Sequence, residues 1–277
     1  MTNVTRTIYA SALQSAQVLG IPYDIVDNTT LNEKFGILDG IHPTEGYPVM
    51  QYLAIGRGGH RNASGADGAS LTRLNTHRAS DAALFKHLPF VLREVDNDLT
   101  ATQRARYGMR REETIDGVNY IAYYLLRIDN TNVDIDYNRV TVTDGDQSTV
   151  PYTPSSSDLS PTPTEVSPTG INVSDGEYLT ASAGITLNFT SDIINEIVNA
   201  AKIIYGEEEY ATLSEIGLVS GQDYTHSATN SEGGSFTYAE VIAAQVNTHI
   251  TMHQQLWLLN NSLTLEFNLG GTESLSI

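Results

Sequence analysis

The sequence predicts an α+β chain that is strand-rich, with antiparallel sheets and few helices, in two lobes joined by a Ser/Thr/Pro-rich linker. The stretch SLTLEFNLGG alternates Leu263, Leu265, Phe267 and Leu269 with Thr264, Glu266 and Asn268, the period of a half-buried strand. Long stretches with helical spacing are too few to place a helix between successive strands of a doubly wound sheet. Residues 144–175 combine Pro, Ser, Thr, Asp and Gly with scattered apolar residues, which bury too little to offset the entropy of ordering them. The expected organisation is an N-terminal α+β domain over 1–143, an extended linker or arm over 144–175, and a C-terminal β-rich domain with one helix over 176–277.

The elements follow in order. Ile8, Leu13, Ala16 and Leu19 lie near helical spacing between Arg6 and Gly20. MQYLAIG is a strand, and NASGADGAS, further on after Arg61, has small and polar residues without a helical apolar stripe, so it is expected as a mobile loop. Asp98–Arg110 reads as a short arginine-rich helix or turn, with Asp98 or Thr100 as its cap. Asp116-Gly117 signals a hairpin leading into the strand VNYIAYYLLRID. VDIDYNRVTVTD and EYLTASAGITLNFT have strand alternation. DIINEIVNAAKIIYG (Asp192–Gly206) is the clearest helix, with Asp192 as expected N-cap and Gly206 as its stop. TLSEIGLVSG and FTYAEVIAAQV complete the strand set.

At 277 residues the chain is long enough to bury roughly three quarters of its unfolded surface. It has no cysteine, which excludes disulfides and thiolate metal sites. No run approaches the roughly 18 apolar residues of a membrane span, and MTNVTRTIYAS lacks the pattern of a secretory signal, so a soluble chain is expected. The net charge of −18 is uneven: residues 1–56 carry −3, residues 57–127 carry +3, and residues 128–277 carry −18. An acidic half repels phosphates, so direct nucleic-acid binding is not expected. The arginine-bearing middle is the candidate for an anionic partner, including an acidic neighbouring subunit.

Motifs for chemistry are weak. Gly56 and Gly58 fit a dinucleotide turn, but Arg61 stands where the third glycine belongs, and no Gly-Lys pair supplies a P-loop. His249 and His253 in HITMH would share a helix face as metal ligands, but Ile250 stands where a zinc protease has its glutamate. The same stretch alternates as a strand would, with both histidines on a polar side facing solvent or a subunit. Glu207-Glu208-Glu209 lacks the spacing of a calcium loop, and no Gly-x-Ser-x-Gly elbow occurs. No catalytic residue, cofactor or metal is expected, and the chain is read as a non-enzyme.

Three segments carry a resemblance. KIIYGEEEYATLSEIGLVSGQD, with Glu215, Ile216, Gly217 and Leu218, resembles a segment of tail and baseplate proteins of tailed bacteriophages. YAEVIAAQVNTHI followed by LTLEFNLGG is similar in order to the closing strands of baseplate wedge proteins of contractile-tailed phages. The strand ending in Ile55-Gly56-Arg57 is similar to an early strand of that family, which would make YLAIGRG a scaffold strand. The resemblance implies a structural subunit in the virion tail, present in the host cytoplasm during assembly, whose partners are other virion proteins and copies of itself in an oligomer. Arg104, Arg106, Arg110 and Arg111 are the expected interface residues, pairing with acidic surfaces of neighbours. The alternatives are a head-to-tail connector and a receptor- or carbohydrate-binding module using exposed Tyr and Trp257, although Trp257 in QLWLL is expected in the core.

Overall fold

The computed structural model describes residues 2–143, 145–161, 177–229, 233–259 and 261–275. Its elements are β1 (Asn3–Arg6), α1 (Ile8–Leu19), α2 (Leu31–Phe35), β2 (Val49–Gly56), β3 (His60–Ser64), β4 (Ser70–Leu74), β5 (His87–Leu88), β6 (Val91–Glu94), α3 (Ala101–Arg104), β7 (Tyr107–Ile115), β8 (Val118–Arg127), β9 (Ile135–Thr143), β10 (Asp146–Pro151), β11 (Glu177–Phe189), α4 (Ser191–Tyr205), β12 (Thr212–Thr229), β13 (Ser235–Gln255) and β14 (Leu263–Ser274). The fold is α+β and strand-rich, with antiparallel ladders and few helices, as the alternation predicts. No helix among the described residues is long and apolar enough to cross a membrane.

The chain forms two compact units, and their boundaries differ from the expected division. One unit is 1–129 with 189–263, and the other is 130–188 with 264–277. In the first, an eight-stranded sheet runs β1-β13-β12-β2-β8-β6, with β5 paired to β2 and β7 to β8. β12 and β13 thus sit between β1 and β2, which joins the two halves of the sequence in one sheet. Polar composition reports low burial, whereas strand pairing is decided by register and a shared core, so the 144–175 segment does not mark the boundary. Asp146–Pro151 within that segment pairs as β10 with Asn138–Thr143, and residues 162–176 lie outside the described residues. The second unit is a four-stranded sheet in the order β10-β9-β11-β14.

Local chemistry explains the element ends. Thr7 Oγ1 accepts from the Ala10 amide at the start of α1, and Gly20, at φ 63°, ends it in the left-handed conformation. Thr100 and Gln103 form a capping box on α3. For α4 the cap is Thr190, whose hydroxyl accepts from Ile193; the expected cap, Asp192, lies instead in the first turn, where its charge favours the helix dipole. Asp116 and Gly117, at φ 50° and 81°, turn β7 into β8 with Ile115 opposite Val118. The expected mobile loop over 62–70 falls in a hairpin, β3 with β4, closed where Gly65 donates to the Ala69 carbonyl at 2.7 Å. Its strands carry only Ala63, Leu71 and Leu74 as apolar residues, split between the two faces, which hides them from an apolar-period search.

The core of the first unit gathers Leu31, Phe35, Tyr52, Leu92, Met109, Tyr124, Leu125, Val219, Val241 and Val246. β8 is buried continuously from Ile121 to Leu126, because a central strand covered on both faces needs no polar alternation.

Candidate functional site

Two glutamates sit inside apolar strand runs and are fully buried: Glu215 on β12 and Glu240 on β13. Burying a carboxylate without partners is costly, so each must be hydrogen-bonded. Glu215 Oε2 accepts from the Gly58 amide at 2.6 Å and the Lys86 amide at 3.2 Å, while Oε1 accepts from the Phe85 amide at 2.7 Å. His77 Nε2 lies 3.0 Å from Oε1, and His77 Nδ1 lies 3.1 Å from Asp81 Oδ2. The His77 ring is stacked between Phe85, 4.0 Å between centroids, and His249, at 3.9 Å.

This arrangement explains GRGG. A Cβ on Gly56 would come 2.6 Å from Glu215 Oε2, and one on Gly58 2.6 Å from the Phe85 Cβ, so neither position admits a side chain. Gly59 donates to Ser214 Oγ at 3.0 Å. The glycine run does present one backbone amide, that of Gly58, to a carboxylate, but it is the chain's own, and the Phe85 and Lys86 amides complete the cradle. Glu215 anchors the 57–87 segment, including the β3–β4 hairpin, to the sheet.

Chemically, Asp81, His77 and Glu215 line up as a carboxylate–imidazole–carboxylate series. The side chains of His77 and Glu215 are both shut off from solvent, and through them the series ties the 57–87 segment to the sheet.

Glu240 plays the same part at the other end of the sheet. It accepts from the amides of Met109 (2.6 Å), Arg110 (2.9 Å) and Val241 (2.8 Å), while burial pushes its carboxyl above the usual range against those bonds. Met109 is left-handed, at φ 55°. Asn32 does likewise for Ala243, at φ 53°: its amide donates to the Val241 carbonyl and accepts from the Ala244 amide, both at 2.8 Å. The sequence reading missed Glu215, Glu240 and Asn32 as anchors. The available signal was a carboxylate inside the otherwise apolar runs LSEIGLV and YAEVIAAQV.

Of the four predicted interface arginines, Arg104 and Arg110 meet at Asp98, Arg110 and Arg111 line one cleft, and Arg106 is exposed. Arg110 is 9% exposed, and its guanidinium binds Asp98 Oδ2 at 3.1 and 3.3 Å. Arg104 donates to the Leu99 carbonyl at 2.7 Å, lies 3.6 Å from the same Asp98, and covers the Phe236 ring. Asp98, expected as a helix cap, therefore organises Arg104, Arg110 and the Tyr123 hydroxyl, which donates to it at 2.7 Å. Arg111 reaches Glu113 at 3.6 Å and lines a surface cleft of about 740 Å³ with Phe35, Ile37 and Tyr238. Arg106 alone of the four is exposed with no side-chain ion pair among the described residues.

The histidines also depart from expectation. His249 and His253 lie on a strand, β13, but His249 is buried: its Nε2 lies 3.0 Å from the Asp81 carbonyl, and burial lowers its pKa. His253 is exposed and meets His60 edge to face. Trp257 is half-buried beside the buried Leu256 rather than within the core.

No curated protein and no solved structure matches the chain. The family model that does match covers residues 1–277, and the chain belongs to that family, DUF7208, a family of unknown function.

Proposed function

We propose that the chain is a structural subunit of a phage tail, of the baseplate wedge kind, which works by associating with copies of itself and with other virion proteins. The observation that carries this reading is an uncovered apolar sheet face in the second unit. The register places Ile135 and Tyr137 of β9 with Val150 of β10 and Leu179 of β11 on one side of the sheet, together with the Arg139–Glu177 ion pair, and the first three are 61%, 47% and 51% exposed. Such faces on a lone molecule are commonly contact surfaces, since covering them removes apolar area from water. The buried Glu215 and Glu240 support the same reading, because they commit converging polar groups to rigidity. A rigid subunit presents its contact surfaces without an ordering cost on assembly.

Mass spectrometry of purified particles from infected cells tests the proposal. The chain is expected at stoichiometric level in the tail fraction. Its absence from particles while abundant in the lysate overturns the virion reading, and its presence only in the head–tail junction favours a connector.

A further inference from the structure

We propose that the β3–β4 hairpin of one copy docks on the exposed β9–β10–β11 face of a second copy, making a head-to-tail contact. This deepens the assembly reading above and rests on it.

The hairpin is built for a partner. Arg61 and Arg73 are directly opposite in its ladder, and both are exposed. Like charges in that position repel, so the pair weakens the isolated hairpin. Among the described residues neither guanidinium has a carboxylate within ion-pair distance, in a chain carrying 33 acidic residues. The acid at the hairpin tip, Asp67, accepts from the Ala69 amide at 3.1 Å and serves its own turn. Ala63 and Leu71 share the face of the two arginines, and Leu71 is exposed. The hairpin therefore offers two unneutralised cations beside an apolar cross-strand pair, Ala63 and Leu71. Glu215 fixes its base through Gly58, two residues before β3.

The second unit offers the complement. Residues 130–188 and 264–277 carry ten acidic groups and one basic group, Arg139, which is already paired with Glu177. The side of the sheet that holds Ile135, Tyr137 and Val150 also carries Asp146 and Ser148, placed there by their ladder partners Thr143 and Thr141, and the Arg139–Glu177 ion pair, with Arg139 opposite Val150. Leu71 then has an apolar floor, and the two arginines meet Asp146 and the Glu177 carboxylate in a unit of net negative charge. The hairpin and the face are different surfaces, so the contact is heterologous and propagates into a ring or a filament. Charge complementarity sets its register and makes it sensitive to salt.

The test is sedimentation velocity on the full chain at low and high salt, with folding checked by circular dichroism. The wild type is expected to self-associate at low salt and to dissociate at high salt. R61E/R73E and D146K/S148K, each alone, are expected to weaken association at least about tenfold. An equimolar mixture of the two variants is expected to associate again, because the reversed hairpin then meets a reversed face. A folded mixture that stays monomeric overturns the contact, as does a wild type that never associates. Association lost in R61E/R73E but untouched in D146K/S148K overturns the choice of face, and loss of duplex DNA retention as the sole effect of R61E/R73E assigns the arginines to nucleic acid instead. Failure of self-association with the chain still present in particles sinks this contact alone, whereas association without particle incorporation sinks the virion reading alone.

Discussion

The Gly58 amide points at Glu215 Oε2 from 2.6 Å, across 157 residues of sequence. Glu215 is thereby a fastening for the whole 57–87 segment. Replacing it by alanine leaves the Gly58, Phe85 and Lys86 amides and the buried His77 without their acceptor, an expected loss of about 3–5 kcal/mol. Urea unfolding measures the loss. Limited proteolysis should then show cuts first within 57–87, and a variant cut elsewhere first would detach that segment from Glu215.

The glycines give a sharper contrast. Gly58→Ala forces a Cβ into the Phe85 Cβ and the Glu215 carboxylate, with an expected cost of roughly 1–3 kcal/mol from overpacking. Gly271→Ala meets nothing within 4 Å and should change stability by less than about 0.5 kcal/mol. Equal thermal midpoints for the two variants would contradict the close approach.

Arg110 and Arg106 should separate in the same assay. Arg110→Glu sets a carboxylate against Asp98 in a nearly closed site, so stability is expected to fall by roughly 3–5 kcal/mol. Arg106→Glu is exposed and should fall within about 0.5 kcal/mol of wild type. A neutral Arg110→Glu variant would return Arg110 to the role of a free surface group.

His87 supplies a pH dependence. Burial, aided by Lys34, His249 and His77, holds its imidazole down to about 3. The unfolded chain takes up a proton near pH 6.5 that the native ring refuses, so stability falls as pH drops from about 6.5 toward 3. Between pH 7 and pH 5 the expected loss from this group is about 2 kcal/mol. His87→Gln retains an acceptor for the Leu84 amide and should flatten this part of the stability curve, which unfolding at several pH values measures.

Much of the secondary structure was legible because its causes are local. Gly20 ends α1, Asp116-Gly117 dictates a tight turn, and the apolar periods of α4 and β14 span only neighbouring residues. Such signals act through capping bonds and side-chain direction within a few residues, so the sequence carries them without the fold. The sequence by itself determined the strand-rich α+β class, the turn chemistry and the concentration of cations in the middle of the chain. Only the tertiary structure decided that β12 and β13 enter a sheet with β1 and β2, that GRGG receives Glu215, and that Asp98 engages Arg110. Those outcomes depend on which strands share a core and on which carboxylate a buried amide meets, and register between segments more than a hundred residues apart has no local signature.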